Sequence, residues 1–208
     1  MSHGSFPILK ILKHLPDDLT GKVILDAGCG AGEAGFYLRQ YVNREWSSKY
    51  ARKPFRLIGI DAVKENIDRL QELGIYDTLI HEDLTRCDLS RLPKIDISLC
   101  LETAEHIEKL DSLKVIFSLT RFSDFVLVSM PHKEKIRFQA STTPEYHHVS
   151  RWTRRDLEKM GFRTYLENFY NMSPKLAPIY DVLRVIRKRP TTRELIGVWK
   201  RGGFNLEI

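Results

Sequence analysis

Short apolar runs alternate along this chain with longer amphipathic stretches. The runs lie at about residues 22–27, at Leu57 to Asp61, Thr78 to His81, Ile95 to Leu101 and Phe125 to Met130. Each has the length of a strand, and most are near-continuously apolar, as strands buried on both faces of a parallel sheet are. Between them apolar residues recur at helical spacing, to about residue 42 after the first run, to about Glu72 after the second, and over residues 108–121 after the fourth. Alternation of this kind predicts a doubly wound α/β sheet. Ahead of it, residues 6–15 read as a short amphipathic helix that Pro16, Asp17 and Asp18 end.

The later part of the chain changes rhythm. Pro131 and His132 close the fifth strand, and residues 133–150 form a loop long enough to be a lid or a substrate contact. Thr153 to Met160 reads as a short helix, with Thr153 and Asp156 forming a capping box and Gly161 ending it. A sixth strand over about Phe162 to Tyr170 and a seventh over Glu194 to Lys200 flank a basic helix at Ala177 to Arg189.

Composition narrows the class. At 208 residues the chain holds one well-buried domain rather than two. No stretch approaches the roughly 18 apolar residues that span a bilayer. Lys10 and Lys13 interrupt the only apolar run near the start, so no signal-peptide layout is visible. Cys29, Cys87 and Cys100 are scattered, without a C-x-x-C pair, and read as reduced and buried rather than as a zinc site. A cytoplasmic protein without membrane contact is the expectation. The net charge of +6, with a pI near 9.2, permits an anionic partner without requiring one. The excess gathers at about residues 44–56, read as a solvated inserted loop, and again in Arg184, Arg187, Lys188, Arg189, Arg193, Lys200 and Arg201.

The first strand ends in Asp26 and runs into Gly28, Gly30 and Gly32. Gly30, Gly32 and Gly35 also fit G-x-G-x-x-G, the dinucleotide fingerprint. Asp26 and Glu33 argue against that ligand, because a pyrophosphate at a helix N-terminus would meet two carboxylates. The same acids suit a ligand that carries an ammonium and a sulfonium, as S-adenosylmethionine (SAM) does. Asp61, at the end of the second strand, has two acceptor oxygens for the hydroxyls of a ribose.

Asp26 with its glycines, Asp61, the pair Asp83 and Leu84, and the set Glu102, Glu105 and His106 occur in an order that resembles class I SAM-dependent methyltransferases, close to the generic small-molecule and ubiquinone-type enzymes. The resemblance spans about residues 20–200. It implies a Rossmann-like, doubly wound, seven-stranded mixed sheet in the order 3-2-1-4-5-7-6, with the last two strands antiparallel at the edge. It further implies one domain over residues 1–208, an N-terminal helix (about 1–19) over the cofactor, and a substrate or lid loop at about 131–152. The implied cofactor is SAM, leaving as S-adenosylhomocysteine, on Asp26, Gly28, Gly30, Asp61, Ala62, Asp83, Leu84 and Leu101. Asp83 and Leu84 would contact the adenine. The run from His147 to Phe162 is similar to a His-x-x-x-Trp-Thr segment of such families.

Glu102, Glu105 and His106 fall at i, i+3 and i+4 and would share one face of a helix. Three readings stay open. The set is a common way to start this helix; or His106 or His148 is a general base or positioning group; or carboxylates and histidines hold a divalent metal, as the resembling small-RNA 2′-O-methyltransferases imply for Glu102, Glu105, His106 and one of His147 or His148. The metal is possible and not the favoured reading. For the acceptor, a small or sugar-like molecule is favoured over RNA, which the basic surface allows. A nicotinamide oxidoreductase and a catalytically silent binding module are the rivals.

Overall fold

The computed structural model describes residues 8–45, 55–132, 147–168 and 193–203. In chain order the elements are α1 (Ile8–Leu12), β1 (Val23–Ala27), α2 (Glu33–Glu45), β2 (Arg56–Asp61), α3 (Lys64–Leu73), β3 (Thr78–His81), β4 (Ile95–Leu101), α4 (Lys109–Phe122), β5 (Ser123–His132), α5 (Arg154–Glu158), β6 (Arg163–Asn168) and β7 (Arg193–Lys200). The strands form one sheet in the order β3-β2-β1-β4-β5-β7-β6. Strands β1 to β5 pair in parallel, and β7 runs antiparallel between β5 and β6. This is the expected order, edge strands included.

The central strands are apolar on both faces because both faces are covered. One face packs Ile24, Leu57, Leu99 and Leu127 against Ile8 and Ile11 of α1, Leu38 of α2, and Ile67 and Leu70 of α3. The other packs Leu25, Ile58, Cys100 and Val128 against Val115, Ile116 and Leu119 of α4 and Leu157 of α5. Gly74 ends α3 in the left-handed conformation at φ 63°, its amide returning to Leu70 and Gln71. Thr153 and Asp156 form the capping box that the sequence predicts for α5. Among the described residues no helix is long and apolar enough to cross a membrane.

Three expectations need correction. Strand β5 does not close at Pro131: Pro131 and His132 continue the ladder opposite Glu194 and Arg193. Proline fits there because an amide that points away from the partner strand is not missed. Cys29 and Cys100 are buried, but Cys87 is only half-buried. Helix α1 is shorter than residues 6–15 and packs against α2, with Lys13 paired to Glu167 at 2.6 Å and His14 on the ring of Tyr165. The predicted helix at 177–189, most of the basic inserted loop and most of the 133–150 loop lie outside the described residues. So do Arg184, Arg187, Lys188 and Arg189. Arg201 is described and is structural: it pairs with Asp124 at 2.8 Å and donates to the carbonyls of Arg121 and Ser123.

Candidate cofactor and acceptor site

Strand β1 delivers the chain into a turn with Gly28 at φ 82°, Gly30 at φ 51° and Gly32 at φ 83°. Side chains rarely adopt these angles, so glycine is favoured. A Cβ on Gly28 would also enter the side chain of Thr103, which follows β4, and one on Gly32 would enter Leu70. At Gly30 nothing stands within 4 Å of a Cβ position, so the turn is open there. The amides of Gly28 and Cys29 donate to the Ile60 carbonyl at 2.8 and 3.0 Å and tie the turn to β2.

Asp61 closes this side. Its Oδ2 accepts from the Gly30 amide at 2.7 Å, and its Oδ1 from the Val63 amide at 2.9 Å and Asn66 Nδ2 at 3.1 Å. A carboxylate offers about four acceptor sites. Three protein donors therefore fix its orientation and leave capacity for a ligand hydroxyl. The neighbouring Ala62 is exposed, and His81 donates from Nε2 to its carbonyl at 3.0 Å. Asp83 is exposed and accepts from the amide and hydroxyl of Thr85 at 2.9 and 2.8 Å, which is the turn-capping role of an aspartate. Leu84 is half-buried beside it, and Leu101 is buried at the end of β4.

Asp26 lies beneath the turn and is only 2% exposed. Tyr76 Oη donates to its Oδ2 at 2.6 Å. Burial pushes the Asp26 carboxyl up to about 6; the Tyr76 bond pulls it down and the Asp61 charge raises it. The ring of Tyr76 also explains Gly35. A Cβ on Gly35 would stand 2.6 Å from Tyr76 Cζ and Oη, and one on Gly59 would stand 2.9 Å from Tyr76 Cδ1. The third glycine of the apparent dinucleotide fingerprint thus makes room for a tyrosine.

The segment after β4 departs from the expected helix. Glu102 has φ 50°, Ala104 to His106 form a single 3₁₀ turn, Ile107 is extended, and α4 starts only at Lys109. Glu102, Glu105 and His106 therefore do not share a helix face. Glu102 instead accepts from Ser129 Oγ at 3.2 Å, on the β5 side. There it meets Glu194 of β7, which is fully buried. Burial first, then the charge of Glu102 and a hydrogen bond with it, hold the Glu194 carboxyl well above the usual carboxylate range.

Glu105 and His106 meet a different partner. One ligand atom each from Glu105, His106 and His148 lie within 4.8 Å of one another. The segment after His147 is laced onto the turn. The amides of Val149 and Ser150 donate to the Glu105 carbonyl at 2.8 and 3.0 Å, and Ser150 Oγ donates to the Ala104 carbonyl at 3.0 Å. Trp152, fully buried, donates to Ser150 Oγ, and Lys109 Nζ sits 3.2 Å from the centre of its ring. His106 Nδ1 lies 3.2 Å from the His147 carbonyl. A carbonyl only accepts, so Nδ1 carries the proton and Nε2 keeps its lone pair. Burial, then the neighbouring His148, lower the His106 pKa and keep the ring neutral.

Sequence reasoning missed Tyr76, Thr103 and Glu194. Glu194 left one signal, a lone acid beside the largely apolar run Leu195 to Trp199. Tyr76 and Thr103 left none of their own.

A glycine turn at the switch point between β1 and β4, an acid ending β2 and this strand order define the fold of the class I SAM-dependent methyltransferases. Solved structures agree. The N-terminal domain of EvdMO1, crystallised with S-adenosylhomocysteine and D-fucose, superposes with a TM-score of 0.59 at 15% identity, over 96% of this chain and 84% of that one. The small RNA methyltransferase HEN1 gives 0.60 at 18% identity over 96% of this chain, which corresponds to 26% of HEN1. Magnesium protoporphyrin IX methyltransferase (ChlM) from Synechocystis PCC 6803, with bound SAM, gives 0.54 at 18% identity over 92% of this chain and 75% of that one. No protein-family model matches the sequence, and no curated protein does.

Proposed function

We propose that this chain is a SAM-dependent methyltransferase that moves the methyl group to an oxygen or nitrogen acceptor, with a sugar-like hydroxyl as the favoured acceptor. One observation carries the reading. Thr103 packs onto Gly28 of the glycine turn, and three residues further on His106 converges with Glu105 and His148. The cofactor turn and a group able to receive a proton are thereby held on one short segment. Methyl transfer needs collinear placement of nucleophile, carbon and sulfur, which supplies roughly 7–11 kcal/mol. A hydroxyl must also lose its proton, and the Nε2 lone pair of a neutral His106 is suited to take it. The D-fucose in the EvdMO1 crystal supports a sugar-like acceptor by analogy.

A second reading has its own support. Glu105, His106 and His148 fit a divalent cation: one carboxylate and two imidazoles, with His106 donating its other nitrogen to a backbone carbonyl as metal-ligating histidines do. Such a cation would supply positive charge beside the acceptor oxygens. This reading favours the ribose of an RNA end, and the likeness to HEN1 is its analogy. Transfer of labelled methyl from SAM into RNA, protein, lipid and small-molecule pools of a cell extract tests both. Label in the small-molecule pool that survives EDTA supports the first reading. Label in RNA that EDTA abolishes supports the second. Failure to bind S-adenosylhomocysteine at millimolar concentration refutes both.

A further inference from the structure

Tyr76 belongs to no motif, yet its hydroxyl has a defined place. The hydroxyl proton is directed at Asp26 Oδ2, 2.6 Å away. The ring cannot be displaced easily, because it fills the space above both Gly35 and Gly59 and is only 7% exposed. We propose that Tyr76 is a positioning residue for the cofactor, its hydroxyl holding the Asp26 carboxylate fixed and ionised beneath the glycine turn, where its charge attracts the cationic part of SAM. The inference rests on the reading of this site as a SAM site.

Among the described residues that face Asp26, Tyr76 is the stabilising one. Asp61 of β2 is a like charge, and the thiols of Cys29 in the turn and Cys100 of β4 are held neutral by burial. Without the hydroxyl, a carboxylate already raised by burial would take up a proton at higher pH. Loss of one charged hydrogen bond corresponds to about one pH unit or more.

Binding of S-adenosylhomocysteine to the full chain, measured by calorimetry from about pH 5 to pH 8, tests this across the range in which Asp26 titrates. The amino-acid part of that ligand stays a zwitterion throughout. Wild-type affinity is expected to fall as pH drops through about 6. In Tyr76→Phe the midpoint is expected to move up by about one pH unit, a tenfold change in proton affinity. Asp26→Asn, which keeps an acceptor for Tyr76 but carries no charge, is expected to bind weakly at every pH with no midpoint there. A Tyr76→Phe midpoint equal to wild type overturns the proposal, as does a wild-type midpoint retained in Asp26→Asn. The latter test holds even where Tyr76→Phe folds poorly. Wild-type protein that binds at no pH instead refutes the cofactor reading itself, an outcome distinct from both.

Discussion

Replacing Gly35 with alanine sets two effects of opposite sign against each other. Gly35 lies in α2 at an ordinary helical angle, and exchanging an exposed helical glycine for alanine stabilises by about 1 kcal/mol. Here the new methyl would stand 2.6 Å from Tyr76 Cζ and Oη. The ring has no retreat, since Gly59 holds its other edge. Overpacking of this kind costs about 1–3 kcal/mol. Moving the hydroxyl off Asp26 forfeits a charged hydrogen bond worth about 1.5–3 kcal/mol. The sum favours destabilisation by about 1.5–5 kcal/mol, which for a chain of this size lowers Tm by roughly 5–15 °C. Thermal and urea denaturation of Gly35→Ala would measure it. In a Tyr76→Leu background the same substitution should cost much less. A Gly35→Ala protein at or above wild-type stability would refute the packing account and return Gly35 to a ligand-approach role.

Asp61→Ala should weaken S-adenosylhomocysteine binding by about 1.5–3 kcal/mol, tenfold or more, in the same calorimetric assay; unchanged affinity would remove Asp61 from the site. His148→Ala should spare cofactor binding and lower methyl transfer to whichever pool accepts label, and equal turnover would exclude His148 from the chemistry. Asp26→Asn should gain stability relative to wild type as pH rises. The folded carboxyl lies at about 6 rather than 3.8, so folding binds its proton preferentially, and that contribution, about 3 kcal/mol, is present below about pH 4 and lost as pH rises through 6. Urea midpoints of the two proteins at pH 4 and pH 7 would show a gap that opens with pH. Thr153→Ala should cost about 1 kcal/mol through loss of the capping box, read as a small fall in Tm.

The parallel strands were legible because each announces itself as an apolar run, with Asp26 and Asp61 near the ends of the first two; their order followed only from the resemblance to the class I SAM-dependent methyltransferases. Asp26 and Asp61 could be placed by pattern alone. The region after β4 could not. Glu102, Glu105 and His106 have helical spacing, but spacing does not reveal that Glu102 turns to φ 50° or that the Val149 and Ser150 amides occupy the Glu105 carbonyl. Those amides come from a segment more than forty residues away, and a long-range hydrogen bond leaves no local periodicity. Tyr76 was invisible for a related cause: what marks it is the missing side chains of Gly35 and Gly59, and Gly35 already fitted the dinucleotide fingerprint. Pro131 misled because a proline reads as a strand end unless the side on which the partner strand pairs is known.

The stitching of residues 147–152 onto the turn at Ala104 to His106 has a consequence for how this protein can diversify. From His147 onward the chain is fastened to that turn, and Trp152 is bridged back to His132 of β5. Both moorings are made of backbone and core groups. Lengthening a tethered segment costs little, about 0.6 kcal/mol for each doubling. An insertion between His132 and His147 is therefore expected to leave Glu105, His106 and His148 at their spacing. The spacing of the two histidines is thereby carried by the anchored residues themselves.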